Sequence, residues 1–144
     1  MALHIRDFRE PDRAALIALW ETCALTRPWN DPNTDLDRAV TARDAALLVG
    51  TWNEGVVASI MVGHDGHRGW IYYLAVSPDR QGRGHGREMM AEAELWLEAR
   101  GAPKVQLMVR DGNEIAAAFY QALGYERQDV AVFGKWLTSP PDVN

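Results

Sequence analysis

The stretch Gly69-Trp-Ile-Tyr-Tyr-Leu-Ala-Val-Ser-Pro-Asp-Arg-Gln-Gly-Arg-Gly-His-Gly-Arg87 decides how the rest of the chain is read. Trp70 to Val76 is a run of bulky, aromatic and β-branched residues, the composition of a buried strand. Ser77 and Pro78 stop it, and Arg80 to Arg87 sets glycines at every second position between arginines. Glu88 to Arg100 then offers a helical pattern with no breaker before Gly101. The order is strand, glycine-arginine turn, helix. The first N–H groups of a helix lack intrahelical partners, and its dipole places partial positive charge at the same end. Glycines ahead of it let successive N–H groups converge and remove the Cβ atoms that would hold a ligand off. With Arg80, Arg83 and Arg87 adding full charges, the expected product is an anion cradle for a phosphate or pyrophosphate. The bland alternative is a glycine-rich turn with solvated arginines, and such turns are common.

Two familiar cradles are excluded by spacing. No Gly-x-x-x-x-Gly-Lys-Ser/Thr is present, and Gly82, Gly84 and Gly86 do not fit the Gly-x-Gly-x-x-Gly of dinucleotide folds. What stands there is Gln81-Gly82-Arg83-Gly84-His85-Gly86, which resembles the acyl-coenzyme A motif Gln/Arg-x-x-Gly-x-Gly/Ala of the GNAT N-acetyltransferases.

At 144 residues the chain is expected to be one domain, over 1–137, with a short tail at 138–144 carrying a proline pair. A net charge of −5 argues against a general nucleic-acid or anionic-membrane binder, so the arginines at the turn are a local exception. Cys23 is the only cysteine, which excludes an internal disulfide, and its helical setting reads as core. Neither a signal peptide nor an apolar run of spanning length is read, so the cytoplasm is the expected compartment.

Taken in order, Leu3 to Phe8 alternates as a short strand, and Pro11 suits a helix start. Leu16, Leu19, Trp20 and Cys23 mark one apolar helix face. A loop from Arg27 leads to a second helix capped by Thr34 or Asp35 and running to about Arg43. Ala46–Trp52 and Val56–Gly63 read as a hairpin around Asn53-Glu-Gly55, followed by a polar turn into the central strand. Beyond Gly101, Lys104–Arg110 reads as a strand, Asn113–Leu123 as a helix ended by Gly124, and Tyr125–Leu137 as two last strand pieces. The expectation is an α/β fold: a mixed central sheet, antiparallel over the first hairpins, with helices on both faces.

Asp111-Gly-Asn113-Glu-Ile-Ala-Ala-Ala-Phe-Tyr120-Gln-Ala-Leu-Gly-Tyr125 carries the resemblance further. In GNAT enzymes an Asn opens the helix after the fifth strand, a Tyr follows seven residues on, and Leu-Gly-Tyr/Phe closes it. Asn113, Tyr120, Leu123, Gly124 and Tyr125 all fit. The resemblance extends over essentially the whole chain, and the loop Arg27-Pro-Trp-Asn-Asp-Pro and the turn before Gly69 look like a bacterial branch, the YpeA-type proteins. It implies the GNAT acyl-coenzyme A N-acyltransferase fold, in which the fourth and fifth strands splay apart, and an enzyme that moves an acetyl group from acetyl-coenzyme A to an amine by direct attack in a ternary complex, without a metal. On that basis the pyrophosphate belongs on the N–H groups of Gln81, Gly82, Arg83, Gly84, His85 and Gly86, with Arg87 beside them. The pantetheine arm pairs along Leu74, Ala75 and Val76 and is held by the amide of Asn113. An N–H near Leu74 or Ala75 meets the thioester oxygen. Tyr120 is the candidate general acid for the departing thiolate, being neutral at pH 7, while Phe119 fills the core.

The chain departs from the family at the base. The Glu that many members carry at the start of the fourth strand is Trp70 here, and the Glu that another branch carries in the fifth is Met108. Deprotonating a lysine amine at pH 7 costs roughly 4.6 kcal/mol, whereas an α-amine near pKa 8 costs only about 1.4. The missing carboxylates therefore point to a weakly basic amine or a base working through water. Tyr72, His67 and Asp111 are the replacement candidates, each more simply read as structural or solvent-facing. The family's acceptor wall falls on Trp29, Asn30 and Asp31, where an aromatic beside a carboxylate suits a cationic amine, with Tyr72 nearby. Two rivals stand beside this reading. One is an acyl-coenzyme A sensor that has lost turnover, and the other is O-acetylation. A homodimer through an exposed last strand is also open.

Overall fold

A computed structural model describes residues 2–138; the tail expected at 138–144 lies, from 139 on, outside them. The elements are β1 (His4–Asp7), α1 (Arg13–Thr22), α2 (Pro32–Thr41), β2 (Ala45–Trp52), β3 (Gly55–His64), β4 (Gly69–Val76), α3 (His85–Glu98), β5 (Val105–Leu107) and α4 (Glu114–Ala122), with 3-10 turns at Glu10–Asp12 and Pro78–Arg80. The sheet runs β1-β2-β3-β4-β5. The first four strands are antiparallel, and β5 joins β4 in parallel through the crossover helix α3.

Alternation along the strands splits the apolar residues between the two faces. On one face Leu48, Ala58, Ile60, Val62 and Ile71 meet Met89, Met90, Ala93 and Leu97 of α3, with Phe119 and Tyr120 of α4 and Leu123 at its C-cap packed alongside. On the other Leu47, Val49 and Ala75 meet Leu16, Leu19 and Trp20 of α1 and Leu36 and Ala39 of α2. Helices on both faces and a mixed sheet are the architecture expected.

The hairpin β2–β3 turns on Asn53 and Glu54, both left-handed (φ 49° and 67°), between the paired Trp52 and Gly55. Such a turn favours Asn-Gly, because only glycine takes that conformation freely at the second position. Glu54→Gly should therefore raise stability by roughly 0.5–1 kcal/mol, seen as a higher Tm in calorimetry. An unchanged or lower Tm would show the strain to be relieved elsewhere.

Four expectations are corrected. The second helix is capped by Asp31, which accepts from Asn33 N at 3.1 Å, and not by Thr34 or Asp35. α3 begins at His85, so the end of the glycine motif forms its first turn. β5 keeps three residues, leaving Met108 beyond it and half exposed. No strand forms over residues 125–137: a strand needs a paired neighbour, and none of the described residues pairs its backbone with residues 126–137.

Candidate functional site

β4 and β5 stay paired only from Gly69–Val105 to Ile71–Leu107. Past Ile71 no backbone among the described residues pairs with that edge of β4. Ser77 N donates to Val57 O at 2.8 Å, which makes their pair a hydrogen-bonded one; by alternation Ala75 and Ser59, two residues on, are bonded to each other as well. The main-chain groups of Leu74 and Val76 then face the gap. This corrects the expectation for Ala75, whose N–H is turned to β3. The Val76 carbonyl is met by the Gln81 side chain, Nε2 donating at 3.0 Å, and by the Cys23 thiol at 3.4 Å. Burial pushes that thiol above its ordinary range, which keeps Cys23 protonated at neutral pH.

A register shift between Ser59 and Met61 puts two residues of β4, Tyr73 and Leu74, opposite Ile60, and Tyr73 takes a left-handed φ of 52°. This is a β-bulge. It turns Tyr72 and Tyr73 to the same face of the sheet, the face of α1 and α2.

Beyond β4, none of the N–H groups of residues 81 to 87 has an acceptor among the described residues. Three glycines there do different work. Gly82 and Gly84 have left-handed φ values of 77° and 83°, and nothing lies within 4 Å of where their Cβ would be. They curl the chain and keep its mouth open. Gly86 lies inside α3, where a Cβ would stand 3.0 Å from Phe119 Cζ. It lets α4, and with it Tyr120, close on α3.

The charges around this turn divide. Arg83 and Arg87 are exposed and pair with no acid among the described residues. Arg80 instead folds 4.2 Å over the Trp52 ring and donates from Nη2 to His85 Nε2 at 3.1 Å. His85 is buried, and with Nε2 accepting, its Nδ1 carries the proton to Glu88 Oε2 at 2.7 Å. Glu88 Oε1 accepts from Leu3 N at 3.0 Å. The His85 and Arg80 side chains thus brace the turn from beneath. Of His85 only the main-chain N–H is offered outward.

Asn113 caps α4, its Oδ1 accepting from Ala116 N at 3.2 Å, which leaves its amide hydrogens to donate. Tyr120 lies edge-on to Phe119 (ring centroids 5.1 Å apart) and to Tyr125 (5.9 Å). Leu74, Val76, Phe119 and Tyr120 pack on the same apolar cluster, so the phenol shares a side of the sheet with the open edge of β4. No partner for its hydroxyl is found among the described residues. Burial raises its pKa above the usual 10, keeping it protonated through neutral pH.

The structure does not gather the acceptor-side residues into one cluster. Both oxygens of Asp31 are used at the α2 cap, Oδ2 by Thr34 Oγ1 at 2.9 Å. Asn30 closes a turn on Arg27 O at 3.0 Å. Trp29 has Arg110 over its ring at 5.6 Å, tying this loop to the segment after β5. Trp70 donates from Nε1 to Asp65 Oδ2 at 3.0 Å. Main-chain N–H groups of Arg68 and His67, with the Trp70 indole, hold the Asp65 carboxyl down at about 2. An open groove of about 560 Å³ runs past Asp44, Asp65, Trp70 and Tyr72 on the same face. His67 sits in the turn before β4, seven residues from Leu74, which is roughly 20 Å along a strand. Asp111 is exposed in the turn before α4.

The sequence model of the Acetyltransferase (GNAT) family matches residues 13–125. The chain belongs to the GNAT acetyltransferases. An acetyltransferase of Pectobacterium atrosepticum is 45% identical over 94% of this chain and 96% of its own. One of Yersinia pestis is 44% identical over the same shares. Among solved structures, AAC(6')-Iy in complex with the bisubstrate analogue CoA-S-monomethyl-acetylneamine superposes with a TM-score of 0.79, covering 96% of this chain and all of that one, at 14% identity. That last likeness shows the fold alone. The protein is a GNAT-type N-acetyltransferase that takes its acetyl group from acetyl-coenzyme A and passes it to an amine. Family and relatives favour this over a sensor without turnover and over O-acetylation, and they do not address the YpeA-type branch. Among the described residues no helix is long and apolar enough to cross a membrane.

Proposed function

We propose that this GNAT transferase holds the pyrophosphate of acetyl-coenzyme A on the unpaired N–H groups of residues 81–87 and its pantetheine arm on the open edge of β4. The observation that carries the assignment is the continuity of the two. A run of unpartnered main-chain donors leads directly from an unpaired strand edge, which matches a ligand that is a polyanion at one end and amide-rich at the other. Arg83 and Arg87 add charge at the mouth. Asn113 holds the arm with its amide. Leu74 N–H faces the thioester oxygen and stabilises the oxyanion as the amine attacks. Tyr120 donates its phenolic hydrogen to the departing sulfur, and the proton that the attacking nitrogen sheds on becoming an amide passes through water to restore the phenol.

The acceptor enters from the face of α1 and α2, over Tyr72. Asp44 and Asp65 line the adjoining groove together with one cation, Arg43, and Trp70 and Tyr72 give it aromatic walls that suit a cationic amine. Trp29 and Asn30 lie outside the lining of that groove, and Asp31 serves chiefly as a helix cap. The family's two base positions hold Trp70 and Met108, neither of which can take a proton from the acceptor amine. Burial and Asp65 raise the Tyr72 phenol, making it a poor base at neutral pH, and His67 is too distant. The preferred acceptor is therefore an amine already partly neutral near pH 8. Acceptor screening read by product mass spectrometry should find turnover on α-amino compounds before lysine side chains, with the rising limb of the pH profile tracking the acceptor's own pKa. Turnover on no amine, with acetyl-coenzyme A bound, would revive the sensor reading. The reading needs no metal and fits the cytoplasm, and the whole of 1–137 serves as one catalytic unit.

Residues 126–137 fit a role in pairing two copies. Val130, Val132, Phe133 and Leu137 are all more than two-thirds exposed, and among the described residues β5 has no neighbour on its outer edge. A second copy of this chain could satisfy both by exchange. Sedimentation velocity should show a dimer that Val132→Asp with Phe133→Asp converts to monomer; a wild-type monomer at all concentrations would contradict it.

A further inference from the structure

The β4 bulge is held by a buried chain of contacts that neither the family's motifs nor the cradle requires. Ser59 interrupts the apolar run of β3 and is fully buried. Its hydroxyl donates to Tyr73 O at 2.8 Å and accepts from Trp20 Nε1 at 2.9 Å. The Trp20 indole, also fully buried, stacks on the Tyr73 ring with centroids 4.0 Å apart and planes 21° from parallel. The Tyr73 hydroxyl donates to Asp35 Oδ2 on α2 at 2.6 Å.

The carbonyl that Ser59 grips belongs to the same peptide unit as the N–H of Leu74. In a trans peptide the C=O and N–H point in opposite directions. Holding Tyr73 O toward β3 therefore aims Leu74 N–H into the gap between β4 and β5. A hydrogen bond accepted at a peptide oxygen also polarises that unit and makes its N–H a stronger donor. The left-handed Tyr73 would relax toward ordinary strand geometry without the clamp, and Leu74 N–H would turn with it.

We propose that Ser59, backed by Trp20, is a positioning residue for acetyl transfer: it orients and polarises the Tyr73–Leu74 peptide whose N–H receives the thioester oxygen. Asp35 and the stacked Trp20 anchor the other end, so α1 and α2, which flank the acceptor loop, bear on the same peptide. The inference rests on acetyl-coenzyme A binding as assigned above, and its test needs no acceptor.

Acetyl-coenzyme A carrying 13C at the thioester carbonyl is bound to the wild-type protein, to Ser59→Ala and to Trp20→Phe, and the carbonyl stretch is read by isotope-edited infrared difference spectroscopy. Wild type should lower the band relative to free cofactor. Ser59→Ala should return most of that shift. Trp20→Phe, which keeps a ring on Tyr73 but removes the donor to Ser59 and some buried volume, should return a smaller part. Acetyl-coenzyme A affinity, by calorimetry, should stay within about threefold in both, because the cradle is untouched. Once an acceptor is known, kcat should fall about tenfold to a hundredfold in Ser59→Ala with KM for acetyl-coenzyme A little changed. A band that stays at its lowered wild-type position in both variants, with cofactor bound, overturns the inference alone, and Trp20→Phe decides it if Ser59→Ala does not fold. Failure of the wild type to bind acetyl-coenzyme A at millimolar concentration overturns the cofactor assignment instead.

Discussion

Gly84→Val should weaken acetyl-coenzyme A binding by about a hundredfold or more while leaving a folded protein. Gly84 takes a φ of 83°, where a β-branched residue costs roughly 1–3 kcal/mol. The chain can escape that cost by turning the peptide, and turning it takes N–H groups out of the array. At about 1.4 kcal/mol per tenfold, the loss of one or two charge-assisted hydrogen bonds accounts for the expected change. Gly101→Val is the control. Gly101 has a similar φ of 76° at the other end of α3, far from the cradle. Both variants should lose similar Tm, and only Gly84→Val should lose affinity, measured by calorimetry. Equal affinities in the two would mean the turn is a fold element and nothing more.

Tyr120→Phe should lower kcat by about a hundredfold or more, the size expected for a positioned proton donor, with acetyl-coenzyme A affinity nearly unchanged. The ring packing against Phe119 and Tyr125 survives in Phe, so stability should hardly move. Because burial raises the phenol's pKa above 10, any falling alkaline limb due to its ionisation lies above pH 10, and it should disappear in the variant. A thiolate near pKa 8.5 does not take a proton downhill from such a phenol. The donor acts by hydrogen bonding to the sulfur as charge develops, with transfer completed late. A variant with unchanged kcat on a good acceptor would reduce Tyr120 to a packing residue.

The parts of this molecule that were legible beforehand are those specified by local chemistry. The strand, glycine turn and helix from Gly69 to Glu98 follow from β-branched bulk, Ser-Pro punctuation and an unbroken helical run. The α2 cap was misplaced among three good capping residues, although Pro32 suits the first helical position and so points back to Asp31. The strands expected over 125–137 rest on alternation, and alternation states a tendency that only a neighbouring edge can satisfy. Least visible was the bulge. Nothing in Trp-Ile-Tyr-Tyr-Leu-Ala-Val announces a left-handed Tyr73, since aromatic residues avoid that region. The available hint was Ser59, a lone hydroxyl in an apolar strand, which had to be hydrogen-bonded to something. The side-chain roles of Arg80 and His85 were likewise hidden, because the motif describes main-chain donors and says nothing about what lies beneath them.

The most direct test of the central claim is a 15N-HSQC titration of the protein with coenzyme A. The account predicts that the amides of Gly82, Gly84 and Gly86 move downfield together at saturation, with those of Leu74 and Val76 following and Gly101 and Gly124 staying still. Saturable binding that leaves the three glycine amides unmoved would contradict it.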